Sequence, residues 1–247
     1  TSAQGCTNSA VAQVTVISLP QPTITSNSPV CVGSMLTLNG SGGVTYSWSG
    51  PGGFSSPLQN PVVSNVQPVN AGIYTLVVTV GTCSNVTTAS VTVNPLPTPT
   101  ITSNSPVCLN RSLNFFGLGG MTYTWTGPNG YISNLQNPVI APAQFTNAGT
   151  WTLSVTNASG CVGTATTNVV VNALPVIVVN NPTVCLNQPI SLTASGGTAY
   201  SWTGPLGFTS LLQNPVIPNA QLNMIGGYTV VATSAQGCTN SAVAQVT

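Results

Sequence analysis

The stretch TYSWSGPGGF (Thr45–Phe54) occurs three times in this chain in closely similar form. The second copy is TYTWTGPNGY (Thr122–Tyr131) and the third is AYSWTGPLGF (Ala199–Phe208). Aromatic residues at alternate positions, followed by a turn rich in Gly and Pro, are typical of a half-buried β-strand that ends in a tight turn. In the first copy we expect Val44, Tyr46 and Trp48 to share one face of the strand.

The sequence around this stretch repeats as well. Each copy is preceded by a segment that ends in Cys, namely at Cys31, Cys108 and Cys185, and these cysteines are 77 residues apart. Each copy is followed by LQNPV and then by a segment of the form NAGIYTL, NAGTWTL or IGGYTV. A constant period of this kind indicates one folding unit repeated in tandem.

A longer period is superimposed on the first. Residues 1–15, TSAQGCTNSAVAQVT, recur without change as residues 233–247, at an offset of 232 residues. We interpret residues 1–18 as the F–G hairpin and strand G of a preceding domain, and the chain as part of an array of 232-residue units. Further copies of the same 232-residue repeat are therefore expected partners. The alternative is a sequence whose end has been duplicated.

The composition favours β-structure. Val, Ile and Thr are abundant, and 25 Gly and 20 Pro supply turn residues. About seven short strands per repeat, with a Trp on strand C, predict an all-β tandem array of immunoglobulin-like β-sandwich domains. We place the domains at 19–95, 96–172 and 173–247. Proline-rich connectors between them favour a rod-like array.

The charge content excludes most functional classes. The chain has no Asp, Glu or His, and Arg111 is its single cation. General acid–base catalysis and carboxylate metal sites therefore lack their residues, so we expect no enzyme, no catalytic residue, no metal and no cofactor. One Arg cannot form a nucleic-acid-binding patch. No apolar run is long enough for a membrane span in this segment.

The aromatic residues are the remaining candidates for a site. Trp48, Trp125 and Trp202 are predicted core residues, although together with Tyr46, Tyr123 and Tyr200 they also suggest a sugar-stacking platform. Three residues on strand F are assigned to the core as well. Tyr74 and Tyr228 fit the corner tyrosine of immunoglobulin-like domains, and Trp151 replaces it in the middle repeat, without the hydroxyl.

The repeat as a whole resembles a known group of domains. The pattern PVC, TASGG, YSWTGPxGF, QNP, AGxYTV and GC is similar to tandem Ig-like and PKD-like repeats of cell-surface proteins from the Bacteroidetes, including SprB-like gliding-motility adhesin filaments. This resemblance covers nearly the whole chain. It implies a filament outside the cell and export by the type IX system through a C-terminal signal.

The seven cysteines indicate an oxidising, extracellular setting. Each repeat has one cysteine just before strand B and one in the F–G turn, and one disulfide inside each domain is the simplest pairing. Immunoglobulin-like topology argues against it, because the two positions lie at opposite ends of a sandwich, whereas a disulfide needs Cα atoms about 4.4–6.8 Å apart. The intradomain pairs would be Cys31–Cys83, Cys108–Cys161 and Cys185–Cys238.

Pairing between consecutive domains is the hypothesis we favour. In a head-to-tail array the lower end of one domain meets the upper end of the next, which predicts Cys31–Cys161 and Cys108–Cys238. Cys6, Cys83 and Cys185 would then find partners outside this sequence. Each bond would close a loop of 130 residues and contribute about 4–5 kcal/mol by loop-closure estimates.

Together these features predict a structural and adhesive segment of a long extracellular cell-surface filament or stalk, with surfaces or polysaccharide as further partners. The alternative is a carbohydrate-binding or spacer array of Ig-like modules in a secreted enzyme. A near-identical three-domain period favours the filament, because an enzyme spacer has little need of a long homogeneous array.

We predict that acid does not destabilise this protein. Acid denaturation arises mainly from native carboxylates that must be protonated, and this chain has none. No side chain titrates between about pH 3 and pH 8, since Cys, Tyr and Arg all titrate above this range. The melting temperature, measured by circular dichroism, should therefore be nearly constant there. A fall of about ten degrees on acidification would contradict the carboxylate argument.

Overall fold

The computed structural model describes residues 2–247 and divides into two compact units. The first unit extends to Pro97 and includes Asn157–Val162. The second consists of Thr98–Thr156 and Gly163–Thr247. The boundaries 19–95, 96–172 and 173–247 stay predictions from the repeat, and we use them to define the first, second and third repeat.

The first repeat contains nine strands, several of them only two or three residues long. In chain order they are β1 (Thr23–Ser26), β2 (Val30–Cys31), β3 (Leu36–Ser41), β4 (Thr45–Gly50), β5 (Phe54–Ser56), β6 (Val62–Val63), β7 (Gly72–Val80), β8 (Cys83–Val91) and β9 (Val93–Asn94). Short 3₁₀ turns cover Pro51–Gly53 and Pro68–Asn70.

The second repeat has the same order of elements. Its strands are β10 (Thr100–Ser103), β11 (Val107–Cys108), β12 (Leu113–Leu118), β13 (Thr122–Gly127), β14 (Tyr131–Ser133), β15 (Val139–Ile140), β16 (Gly149–Thr156), β17 (Val162–Val169) and β18 (Val171–Asn172). The corresponding 3₁₀ turns are Pro128–Gly130 and Phe145–Asn147.

The third repeat departs from this order in two places. Its strands are β19 (Val178–Val179), β20 (Ile190–Ser191), β21 (Ala194–Ser195), β22 (Ala199–Gly204), β23 (Phe208–Ser210), β24 (Val216–Ile217), β25 (Gly226–Thr233) and β26 (Thr239–Val246), with 3₁₀ turns at Pro205–Gly207 and Leu222–Met224. Strand B is divided into β20 and β21. The segment before Cys185 forms no strand, but Val184 N–H donates to the carbonyl of Thr247 at 3.0 Å.

The strand order defines an immunoglobulin-like sandwich. In the first repeat β1, β3 and β6 form one antiparallel sheet, which corresponds to strands A, B and E. The other sheet has the order β5-β4-β7-β8, which corresponds to C′, C, F and G. The short strand β2 pairs in parallel with β9 at the end of strand G. The chain is thus all-β, with more short strands per repeat than the expected seven.

Each repeat has its own hydrophobic core, and the strand-C Trp lies in it. Trp48, Trp125 and Trp202 are at most 1% exposed. The expectation for Val44 is wrong: this side chain is 73% exposed and precedes strand β4. Val44 follows the Gly42–Gly43 turn, and its backbone N–H donates to the carbonyl of Thr79. Its side chain lies before the first residue of β4 and is exposed to solvent.

A glycine at the end of strand C allows the core to close. A Cβ atom on Gly50 would lie 2.6 Å from Cδ1 of Tyr74, and one on Gly127 would lie 2.6 Å from Cε3 of Trp151. These distances are shorter than any stable carbon–carbon contact. The backbone of strand C therefore packs directly on the aromatic ring of strand F, which explains the Gly in the SGP and TGP segments.

The segment before the first repeat has no partner strand among the described residues, so its assignment to a preceding domain stays a prediction. This prediction covers residues 1–18, of which Thr1 lies outside the described residues. Residues 2–19 are exposed and form no strand. The identical residues 239–246 form β26, because they pair with β25 along its whole length. A strand G needs its strand F, and the described residues contain none for this segment.

We predict that Gly50→Ala destabilises the first repeat while Ser49→Ala does not. The added methyl group overlaps the Tyr74 ring, and overpacking of this kind costs about 1–3 kcal/mol. Ser49 lies on the same strand, but its side chain is exposed. Urea unfolding followed by tryptophan fluorescence measures both free energies. Equal unfolding midpoints for the two variants would refute the packing argument.

Candidate functional site: the cysteines and the aromatic corner

The two cysteines of the first repeat lie at opposite ends of strand G. Cys31 belongs to β2 and is paired with Asn94, which follows strand G. Cys83 begins the nine-residue strand β8 at its other end. With a rise of about 3.3 Å per residue, the eight steps from its first to its last residue span roughly 26 Å. A Cys31–Cys83 bond is incompatible with that separation.

The first disulfide lies in the first unit. It joins Cys31 to Cys161, with a Cα–Cα distance of 5.6 Å and a sequence separation of 130 residues. Cys161 lies in the F–G turn of the second repeat, within the segment Asn157–Val162 that is part of the same unit. The bond therefore connects the strand before B of one repeat to the F–G turn of the following repeat.

The second disulfide lies in the second unit and has the same form. It joins Cys108 to Cys238, again with a Cα–Cα distance of 5.6 Å and a separation of 130 residues. Cys108 is paired with Asn172 beside the end of strand G of its repeat. Cys238 lies in the F–G turn of the third repeat. The same connection thus occurs twice in the chain.

Local hydrogen bonds hold the F–G turns in shape. The side-chain carbonyl of Asn157 accepts the N–H groups of Ser159 and Cys161, both at 3.0 Å. Its amide group donates to the carbonyl of Pro95 at 3.1 Å. In the third repeat the hydroxyl of Ser234 accepts the N–H of Cys238 at 3.2 Å. Each turn therefore presents its sulfur in a defined place.

Three cysteines have no disulfide partner among residues 2–247. Cys6 and Cys185 are exposed, and Cys83 is half-buried. We expect the partners of all three to lie outside this sequence, and this stays a prediction.

The aromatic residue of strand F is fixed by a hydrogen bond in every repeat. The hydroxyl of Tyr74 donates to the carbonyl of Asn70 at 3.1 Å, and that of Tyr228 donates to Met224 at 3.0 Å. Trp151 has no hydroxyl, but its indole N–H donates to the carbonyl of Asn147 at 3.0 Å. The middle repeat thus keeps the corner contact with a different donor, which the sequence analysis did not foresee.

Burial affects the tyrosines of this corner. Desolvation raises the pKa of Tyr74 and of Tyr228 above its ordinary value. The neutral hydroxyl that donates the corner hydrogen bond therefore persists to a more alkaline pH than that of an exposed tyrosine.

The aromatic residues do not form an open platform. Phe54 packs on Tyr74 at a centroid distance of 5.3 Å, Tyr131 on Trp151 at 4.9 Å, and Phe208 on Tyr228 at 5.5 Å. The hydroxyls of Tyr46, Tyr123 and Tyr200 donate to the glycine carbonyl three residues before them. The Trp rings are buried and therefore cannot stack on a sugar ring.

One indole differs from its counterparts. Trp125 donates to the carbonyl of Gln136 at 3.2 Å, and Trp202 donates to that of Gln213 at 3.3 Å. The buried Nε1 of Trp48 has no hydrogen-bond partner. A buried polar group without a partner costs stability, so the first repeat carries a small penalty that the other two avoid.

Charged and metal-binding groups do not form a site in the part of the chain that the structure describes. Arg111 is exposed, as expected for a solvated loop residue. Residues 2–247 contain no group of three or more side chains able to hold a metal ion. Within the same residues, no helix has the length and apolar character needed to cross a membrane.

These features define a tandem array of disulfide-bonded immunoglobulin-like domains. No protein-family model matches the sequence, and no curated protein matches it either. Among solved structures, the titin I-band fragment I67-I69 is 14% identical, with 94% of this chain and 99% of that chain covered and a TM-score of 0.44.

Two further structures are similar at the same level. The eight N-terminal Ig domains of Down Syndrome Cell Adhesion Molecule are 16% identical, with 92% of this chain and 36% of that chain covered and a TM-score of 0.47. Three N-terminal domains of the bacteriophage RB49 Hoc capsid protein are 12% identical, with 92% and 98% covered and a TM-score of 0.39. At these identities the likeness carries no information on function, and we assign the fold from the strand order alone.

We predict that the first disulfide holds the chain together after a cut in the first connector. A protease site inserted between Pro97 and Thr98 is bridged by Cys31–Cys161 alone, because both cysteines of the second bond follow it. On a denaturing gel without reductant, the cut protein should run as one species, and reductant should release two fragments.

Two variants provide the matched comparison. Cys31→Ser should release the fragments without reductant when free thiols are alkylated before denaturation. Cys108→Ser removes the other bond and should leave the fragments joined. Release of fragments from the unsubstituted protein without reductant would show that no disulfide connects the first repeat to the second.

Proposed function

We propose that this chain is a structural and adhesive segment of a long extracellular cell-surface filament or stalk. One observation carries the proposal: both disulfides connect consecutive repeats, and neither lies inside a single repeat. A bond inside a repeat stabilises that repeat only. A bond between repeats also ties one domain to the next, which is a requirement of a filament and not of an isolated domain.

The connectors support the same role. The carbonyl of Pro20 accepts the side-chain amide of Asn85 at 2.9 Å, and the carbonyl of Pro175 accepts that of Asn240 at 3.0 Å. Strand G of the repeat therefore holds the proline-rich segment that enters it. A connector held in this way is a semi-rigid spacer, in contrast to a flexible Gly- and Ser-rich linker.

The adhesive part of the proposal rests on the surface of the repeats. Each repeat exposes the Leu of its LQNPV segment: Leu58 is 62% exposed, Leu135 is 66% exposed and Leu212 is 67% exposed. A Val four residues later is exposed in each repeat as well, to 48%, 58% and 59%. The surface is thus neutral and partly apolar at a regular spacing. Contacts of such a surface are insensitive to salt, because they do not depend on charge.

The resemblance to Bacteroidetes repeats gives the proposal its finer form. It implies a filament of the SprB-like gliding-motility type, exported through the type IX system to the cell surface. The disulfides agree with such a location, because they form and persist in oxidising compartments. The alternative of a carbohydrate-binding array has less support, since the strand-C Trp rings are buried and the hydroxyls of the neighbouring Tyr side chains are bonded to backbone carbonyls.

Immunogold microscopy on intact cells that produce the protein tests the proposal. Antibody raised against this chain should label projections outside the cell, and protease added to intact cells should remove the label. An antibody against a cytoplasmic protein is the control for intact envelopes. Labelling that requires permeabilised cells would overturn the proposal, as would recovery of the chain solely in a soluble secreted enzyme.

A further inference from the structure

The cysteines without partners occupy positions whose counterparts are bonded. In both disulfides, the cysteine before strand B of one repeat joins the F–G cysteine of the following repeat. This rule leaves the strand-B cysteine of the third repeat, Cys185, and the F–G cysteine of the first repeat, Cys83. In the next 232-residue unit of an array, the counterpart of Cys83 would follow Cys185 by 130 residues. The two observed bonds have the same separation.

Cys83 already has the surroundings of a bonded F–G cysteine. Its sulfur lies 3.9 Å from the carbonyl oxygen of Ile17, and the sulfur of Cys161 lies 4.0 Å from that of Asn94. Ile17 and Asn94 occupy the same position of the repeat. The difference lies in exposure: Cys161 is 1% exposed and Cys238 is 0% exposed, whereas Cys83 is half-buried. The place beside Cys83 that a second cysteine takes in the other repeats is open.

Cys185 has the complementary surroundings. The hydrogen bond from Val184 N–H to Thr247 O places it beside the end of strand G, as Cys31 lies beside Asn94. Cys185 is exposed, and the next residue, Leu186, is 55% exposed. The counterparts of Leu186 beside the two bonded cysteines, Val32 and Leu109, are half-buried. In the third repeat the thiol of Cys185 and the side chain of Leu186 are thus exposed to solvent, whereas the corresponding residues of the first two repeats are half-buried.

We propose that Cys185 of one copy of this chain forms a disulfide with Cys83 of a second copy, so that copies join head to tail. The inference rests on the proposed filament and names its partner. The contact is heterologous, since each copy uses a different end, and it can therefore continue without closing. Two thiols lose two protons and two electrons as the sulfur–sulfur bond forms. A small-molecule disulfide accepts both and is cleaved to two thiols by exchange.

The test is oxidation of the purified chain with oxidised glutathione, followed by a denaturing gel without reductant. We expect a ladder of dimers and longer species, and mass spectrometry should find a peptide pair that contains Cys185 and Cys83. Cys83→Ser and Cys185→Ser should each abolish the ladder. An equal mixture of the two variants should give dimers and nothing longer, because each copy then has one reactive end.

Cys6→Ser is the matched control, since it removes another free thiol and should leave the ladder unchanged. Circular dichroism melts of all three variants show whether each is folded. A purely monomeric product would overturn the proposal, and so would a Cys185–Cys185 pair or a ladder that needs Cys6. A Cys6–Cys108 pair would also overturn it, because it would indicate exchange of residues 1–15 for the identical strand G. Surface labelling of cells is independent of these results, so failure of this bond and failure of the filament proposal are distinguishable.

Discussion

Within each repeat, the strand pair F–G runs along the sandwich and keeps the two cysteines of that repeat apart. In the first repeat, β8 separates Cys83 from the β2–β9 pair that holds Cys31. This distance makes a bond inside the repeat impossible and leaves each sulfur at an end of the domain. In a chain without carboxylates no ion pair can tie one repeat to the next. The covalent bond at the domain end supplies that tie.

The sequence was sufficient for the features that depend on the period. The 77-residue repeat and the alternating aromatic positions predicted three sandwiches, and Trp48, Trp125 and Trp202 are buried as a strand-C Trp should be. Features that depend on one side chain were harder to predict. The exposure of Val44 follows from the turn before it, and the bond from Trp151 follows from ring geometry. The alternation of residues along strand C gave no sign of the first effect, and the loss of the Tyr hydroxyl gave no sign of the second.

The two identical fifteen-residue segments show which structure a short sequence forms by itself and which structure needs a neighbouring strand. Both form the same turn: Ser2 N–H donates to Cys6 O at 2.8 Å, and Ser234 N–H donates to Cys238 O at 2.8 Å. Their continuations differ, because Val246 is 1% exposed in a strand whereas Val14 is 84% exposed outside one. The turn needs its own residues alone, but the strand needs a neighbour to receive its hydrogen bonds and its apolar face. Sequence identity therefore predicted the turn and not the strand.

The overlap of the two disulfide loops has a consequence for how the chain matures. A polypeptide emerges from its amino end, so Cys83 becomes available to Cys31 well before Cys161 does. An unfolded chain closes a short loop more readily than a long one, which favours the wrong pair. Only a folded sandwich carries Cys31 and Cys83 to opposite ends and withholds that reaction. Formation of the correct disulfides therefore requires each repeat to fold before its thiols are oxidised.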